Sequence, residues 1–200
     1  MKPAVAHIMM CQRIKDMKDY KYYLLETLIS EVDLQKRISE LGDEISRDYM
    51  KSDDLLLVCI LRGAVIFLTD LSRKISVPHA MDFMAISSYG AGSRSSSGVV
   101  RITMDLTTNI SNKDVLIVED IIDSGNTLSY VLELLSTRKP KSINVCALLD
   151  KSERREVDVP IRYTGFKIPN KFVYGYGLDL DEYFRNLPFI GIVDLEKYEN

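Results

Sequence analysis

From Ser30 to Tyr49 the apolar residues Leu34, Ile38, Leu41, Ile45 and Tyr49 recur at spacings of 4, 3, 4 and 4, which is one stripe along a helix. Ser30 is placed to cap that helix, and Asp33 suits the positive end of its dipole. Leu55 to Leu61 is then a continuous apolar run with the length of a buried parallel strand, and Ala64 to Leu71 reads as a short helix. The pattern returns further on. Val115 to Val118 reads as a strand, Asp123 to Thr127 as a polar turn, and Leu128, Val131, Leu132, Leu134 and Leu135 mark a helix that stops at Lys139-Pro140. Ile143 to Leu149 is the next strand. Buried strands alternating with helices of this length predict an α/β fold, with a mainly parallel central sheet and helices on both faces.

Two short β-like runs, Met81 to Ser87 and Val99 to Met104, flank Gly90 to Gly98, a stretch so rich in Gly and Ser that it predicts a mobile loop. After Val157 the texture changes to short β-like pieces, Ile161 to Gly165, Phe172 to Gly175 and Phe189 to Val193, punctuated by Pro160, Pro169 and Pro188. These predict a small cap beside the sheet. One domain is expected over residues 29–195, with the cap formed by parts of the N-terminal region and about 157–195; residues 1–28 stay unassigned, and Met1 to Glu26 carries no legible pattern.

Composition narrows the classes. The chain has 200 residues, 46% of them hydrophobic and 28% charged, enough for one domain with a real core and far from disorder. Its 26 Lys and Arg against 29 Asp and Glu give a formal charge of −3, which argues against a surface built to grip nucleic acid. Cys11, Cys59 and Cys146 form no CxxC pair and no even set, so neither a disulfide framework nor a zinc site is expected. The apolar stretch Ala4 to Cys11 is too short and polar for a signal peptide or membrane span, and a cytoplasmic protein is the expectation.

The stretch Val115 to Leu128 carries the chemistry. A buried strand ends in two adjacent carboxylates, Glu119 and Asp120, and the turn Asp123-Ser124-Gly125-Asn126-Thr127 leads directly into a helix. Ligands of open α/β sheets bind beyond the carboxyl ends of the strands, and free amides at a helix N-terminus receive anions. Gly125 permits close backbone approach, and the hydroxyls of Ser124 and Thr127 can donate to phosphate oxygens. Alone, such a turn is equally well a plain βα connection whose polar residues cap the helix. Glu119 and Asp120 tip the balance, because paired carboxylates losing hydration need a metal, a cation or a polyhydroxyl ligand. The turn is neither a Walker A loop nor a GxGxxG fingerprint.

The run Val115-Leu116-Ile117-Val118-Glu119-Asp120-Ile121-Ile122-Asp123-Ser124-Gly125-Asn126-Thr127 resembles the phosphoribosyl diphosphate signature of the type I phosphoribosyltransferases. The similarity extends from about Ile29 to about Val193 and is greatest to the purine-salvage branch, the hypoxanthine (guanine) phosphoribosyltransferases of bacterial type. Asn126 and Arg62 stand where mammalian-type members have Lys, which fits the bacterial subgroup.

The resemblance implies the fold of that family with its cap, or hood, and a role for each matching position. Asp123 would be the general base near the purine N7, Glu119 and Asp120 would hold the ribose hydroxyls and a hydrated magnesium ion, and the loop from Asp123 through Ser124, Gly125, Asn126 and Thr127 would cradle the 5′-phosphate. Leu61-Arg62-Gly63 matches the pyrophosphate loop, where a non-proline cis peptide is characteristic. Ser88-Tyr89 and the Gly/Ser stretch resemble the lid over the reacting centre. Lys151 aligns with the lysine that donates to the purine 6-oxo group, although a residue in the charge run Lys151 to Glu156 is by itself a solvated lysine. Phe172 and Val173 correspond to the purine platform, Asp179 to a ligand of a second magnesium, and Arg185 to a pyrophosphate contact; each alone would be core or surface.

The implied reaction moves the 5-phosphoribosyl group from 5-phosphoribosyl 1-diphosphate to hypoxanthine or guanine, giving IMP or GMP and pyrophosphate, with magnesium as cofactor. A dimer or tetramer is implied too, with no nucleic-acid or membrane partner. Three rivals remain at this point: a sensor of phosphoribosyl diphosphate that binds nucleic acid, an enzyme of the same fold acting on adenine, orotate or uracil, and a sugar-phosphate-binding protein whose acidic pair is structural.

Overall fold

The computed structural model describes residues 19–88 and 100–199. Its elements are, in order, α1 (Tyr20–Tyr23), β1 (Leu24–Ile29), α2 (Glu31–Asp48), β2 (Leu55–Leu61), α3 (Val65–Ser72), β3 (His79–Ser88), β4 (Val100–Met104), β5 (Asp114–Ile122), α4 (Asn126–Ser136), β6 (Ser142–Asp150), a 3-10 turn (Ser152–Arg154), β7 (Tyr163–Lys167), β8 (Val173–Tyr174), β9 (Ile190–Val193) and α5 (Leu195–Glu199).

A six-stranded sheet runs in the order β4-β3-β2-β5-β6-β7. Strands β3, β2, β5, β6 and β7 are parallel, and β4 closes one edge antiparallel to β3. Alternate side chains of the central strands feed two cores, as the pleat requires. Leu55, Leu57, Cys59, Leu116, Val118, Cys146 and Leu148 pack with α2 and α3 on one face. Leu56, Val58, Ile60, Val115, Ile117, Val145 and Ala147 pack with Leu128, Val131 and Leu135 of α4 on the other. The expected α/β architecture is therefore observed. In α2, Leu34, Ile38, Leu41 and Ile45 are all fully buried, and the Ser30 hydroxyl accepts from the Asp33 amide as a helix cap.

The cap is a separate three-stranded antiparallel sheet, β1-β9-β8, over a small core of Tyr174, Leu180, Leu187 and Val193. The piece expected as a cap strand at Ile161 to Gly165 lies elsewhere: β7 spans Tyr163–Lys167 and pairs parallel with β6 at the edge of the large sheet. Arg37 of α2 covers that edge by donating to the carbonyls of Thr164 and Gly165, and Tyr163 donates its hydroxyl to Asp48. The strand the cap takes instead is β1.

Because its main strands are parallel, Leu61, Ser88, Ile122 and Asp150 all end at one edge of the large sheet. The return from β4 to β5 is anchored by Asp82, a buried carboxylate accepting from the amides of Phe83, Thr107 and Thr108 at 2.7–2.9 Å. Burial pushes the Asp82 pKa up, but those hydrogen bonds outweigh it and hold the group below its ordinary value. A depressed carboxyl pKa contributes stability above the unfolded pKa that is lost as pH falls through the folded one. Asp82→Ala is expected to lower unfolding free energy by about 1.5–3 kcal/mol at pH 7. Urea titrations should show the gap to the unsubstituted protein narrowing below about pH 4.

Candidate active site

The carboxyl edge gathers most of the residues singled out above. Strand β5 carries Glu119, buried, and Asp120, half-buried, whose Oδ1 accepts from the Ile121 amide at 2.7 Å. Burial, then the neighbouring Asp120 charge, pushes the Glu119 pKa far above the ordinary carboxyl range. Asp120 is pushed up to about 6 by burial, with Asp179 adding to the rise and the Ile121 amide and Arg185 opposing it. Both acids are thus driven toward neutrality in the absence of a cationic partner.

Beyond β5 the chain turns into α4 through Gly125, whose φ of 88° lies in the left-handed region that glycine enters freely. A cavity of about 120 Å³ lies here, lined among others by Glu119, Asp123, Ser124, Gly125 and Thr127. Gly125 offers no side-chain cap to α4, the Asn126 backbone amide donates to Ser124 Oγ at 3.4 Å, and the helix N-terminus beside this space is a candidate anion site. Asn126 turns away from it: its amide group donates to Ser124 Oγ and to Glu156. Asp123 Oδ1 is buried and accepts no hydrogen bond; Arg154 Nε lies 3.2 Å away without the alignment to donate.

Lys151 is buried, and its ammonium sits 3.9 Å from Asp123 Oδ2. The solvated reading of this lysine fails for a definite reason: the Lys151 amide donates to the Ile122 carbonyl, which docks the residue beside the end of β5. Burial lowers its pKa, and the Asp123 carboxylate works against that.

A second cluster joins the β2–α3 turn to the cap. The Leu61–Arg62 peptide is cis, as the resemblance implied. Gly63 lies so close to Asp120 that a Cβ there would stand 1.6 Å from Oδ2. Gly177, at φ 99°, lies over the Gly63 carbonyl in the same way, where a Cβ would come within 2.1 Å. Arg185 donates to the Gly177 carbonyl at 2.9 Å and pairs with Asp179 at 2.8 Å, and Glu182 pairs with Arg62 at 2.6 Å and Arg185 at 3.4 Å.

Phe172 and Val173 are tied to the cap. Val173 is buried in β8, and the Phe172 ring is 43% exposed and stands 5.9 Å from that of Tyr198. Ser88 ends β3; Tyr89 and the Gly/Ser stretch lie outside the described residues. Arg154, Glu156 and Glu182 escape the sequence reading, since a charged residue on a loop carries no periodic signal. The two described cysteines, Cys59 and Cys146, are buried and free, and burial, helped by Glu119 and Asp120, pushes the Cys59 thiol up to about 12, which suits packing and not nucleophilic chemistry.

Among the described residues no three His, Cys, Asp or Glu side chains converge on a metal cage. The adjacent carboxylates Glu119 and Asp120, and separately Asp179, instead suit hydrated magnesium ions, which keep most of their waters and need only one or two protein carboxylates each. No described helix is long and apolar enough to cross a membrane.

Comparison with known proteins agrees with this geometry. The family model "Phosphoribosyl transferase domain" matches residues 30–181. The hypoxanthine phosphoribosyltransferase of Salmonella typhimurium is 51% identical over 174 residues, covering 86% of this chain and 97% of that protein. The hypoxanthine-guanine phosphoribosyltransferase of Mycobacterium avium is 53% identical over 177 residues, covering 86% and 87%. A crystal structure of a hypoxanthine phosphoribosyltransferase from Staphylococcus aureus superposes with a TM-score of 0.86 at 44% identity, covering 92% of this chain and all of that one.

A raised carboxyl pKa in the folded state means that stability falls as pH climbs above the unfolded value. Glu119→Gln, an uncharged isostere, is therefore expected to raise the unfolding midpoint of the ligand-free protein at pH 8 by roughly 2–4 °C per kcal/mol gained. Thermal scans should show that advantage vanishing toward pH 4.5, close to the ordinary glutamate pKa of about 4.3.

Proposed function

The chain belongs to the phosphoribosyltransferase family, and from that membership we propose that it transfers the 5-phosphoribosyl group of 5-phosphoribosyl 1-diphosphate to hypoxanthine or guanine, forming IMP or GMP and pyrophosphate. The observation that carries the base class is Lys151, buried with its ammonium 3.9 Å from Asp123 at the end of β6. An ammonium only donates, so it favours a 6-oxo group over adenine's 6-amino group.

In the reaction a purine ring nitrogen forms a bond to ribose C1 as the bond from C1 to the diphosphate oxygen breaks. Positive charge develops on the ribose. Glu119 and Asp120, ionised once a cation is bound beside them, stabilise it and hold the ribose hydroxyls. Asp123, whose side chain is 42% exposed beside Lys151, accepts or relays the proton from the purine N7. The Ser124, Gly125 and Thr127 amides and hydroxyls grip the 5′-phosphate, with Asn126 bracing the loop through Ser124 and Glu156. Leu61, Arg62 and Gly63 take the pyrophosphate together with Arg185. Phe172 stacks on the base and the Val173 backbone reads its edge. Ser88, the last residue of β3, and Tyr89 are counted among the substrate-binding residues in this reading.

Bound magnesium neutralises charge on the leaving diphosphate. Glu119 and Asp120 are the residues that would hold one such ion, and Asp179 a second. Free, buried Cys59 and Cys146 suit a reducing cytoplasm, and a dimer or tetramer belongs to the same reading.

The purified protein, supplied with phosphoribosyl diphosphate and magnesium, is expected to convert hypoxanthine or guanine to nucleotide and to leave adenine untouched, as followed by ultraviolet absorbance and chromatography. Asp123→Asn should lower kcat by about 10² to 10⁴, with the KM for phosphoribosyl diphosphate within about threefold of the unsubstituted value. Binding of phosphoribosyl diphosphate with no turnover of any base would contradict the transferase reading and favour a sensor.

A further inference from the structure

The short arch from Lys151 to Val157 connects the two ends of the substrate, because it begins at the lysine assigned to the base and ends against the loop assigned to the phosphate. The amides of Glu156 and Val157 both donate to the Ser124 carbonyl, at 2.9 and 3.1 Å. Inside the arch lies Arg155. Its Nη2 forms an ion pair with Asp150, the last residue of β6 and the neighbour of Lys151. The two side chains are only 15% and 8% exposed.

The stem and fork of Arg155 rest on the phosphate loop. A Cβ on Gly125 would stand 3.1 Å from Arg155 Cδ and 3.5 Å from its Nη1. Nη1 is buried and has no hydrogen-bond partner. The cation therefore touches the loop with an unanswered N–H, while Asp150 holds its other side.

A buried ion pair of this kind is weak support for stability, since desolvation offsets much of its attraction. What it does supply is a rigid distance. The planar guanidinium is held at one end beside Lys151 and packed at the other on Gly125, so it acts as a strut between the base-reading lysine and the phosphate cradle. Its positive charge behind the loop also favours an anionic occupant.

We propose that Arg155, braced by Asp150, is a positioning residue of this site that sets the phosphate loop and Lys151 in register, so that grip on the phosphate and reading of the base depend on it together. The proposal rests on the assignment of the loop and of Lys151 given above.

The test compares the unsubstituted protein with Arg155→Lys, Arg155→Met and the double variant Asp150→Asn with Arg155→Met. The double variant leaves no unpaired carboxylate in the core and keeps the test valid if Arg155→Met alone fails to fold. With the double variant's unfolding midpoint close to that of the unsubstituted protein, the KM values for phosphoribosyl diphosphate and hypoxanthine should each rise at least about tenfold, with kcat at saturation within about threefold. Arg155→Lys should recover part of the loss. Ribose 5-phosphate binding, measured by calorimetry, should weaken by about the same tenfold factor, and this readout needs no turnover. Unchanged KM values and unchanged ribose 5-phosphate affinity in the folded double variant would overturn the strut. Unsubstituted protein that binds ribose 5-phosphate but makes no nucleotide would instead count against the transferase reading, with the calorimetric comparison still deciding the role of Arg155.

Discussion

Three chain segments meet at one point through two glycines. The turn after β2 brings the backbone of Gly63 against the Asp120 carboxylate at the end of β5, and the cap lays Gly177 on the Gly63 carbonyl. Gly177, at positive φ and against backbone, admits only glycine, whereas at Gly63 the neighbour is the end of the Asp120 side chain. The arrangement is held from behind by Tyr176, the neighbour of Gly177, whose buried hydroxyl donates to Asp70 of α3 at 2.6 Å, and from above by Arg185, which donates to the Gly177 carbonyl. Through this contact the cap, which has its own sheet and its own small core, is fixed on the large sheet at the place where Arg62, Asp179 and Arg185 gather.

The same packing explains the electrostatics. Glu119 and Asp120 follow the fully buried Val115, Leu116, Ile117 and Val118 in β5, and burial drives both carboxyl groups toward neutrality. Arg62 and Arg185 are already paired with Glu182 and Asp179. A cation bound here would supply positive charge to the acids, and an anionic ligand would compete for the arginines. Such a site is less stable empty than an apolar one of the same shape, and that strain is a usual cost of binding a charged ligand.

The sheet and its helices were legible because their signals are local. A stripe at spacings of 4 and 3 makes α2, and continuous apolar runs make β2, β5 and β6. The loop from Asp123 to Thr127 was legible for the same reason, with strand, turn and helix contiguous. The cap was less so. Strand β1 shows no clean alternation of buried and exposed positions, and its pairing with β9 is interrupted by register shifts, so its role is settled only by a partner over 160 residues away in the chain. Strand β7 was placed in the wrong sheet because its anchors, Arg37 and Asp48, lie on α2. Arg154, Arg155, Glu156 and Glu182 look like solvated charges until the fold sets Asp123, Asp150, Asn126 and Arg62 beside them.

The central claim is that the close approach at Gly63 places Asp120 for its ligand. Calorimetric titration of Gly63→Ala with magnesium phosphoribosyl diphosphate tests it most directly, because the added methyl group meets a movable carboxylate end and displaces Asp120 without opening the core. The account predicts a folded variant whose affinity falls at least about tenfold, equivalent to roughly 1.4 kcal/mol. A folded Gly63→Ala protein that binds magnesium phosphoribosyl diphosphate as tightly as the unsubstituted chain would contradict it.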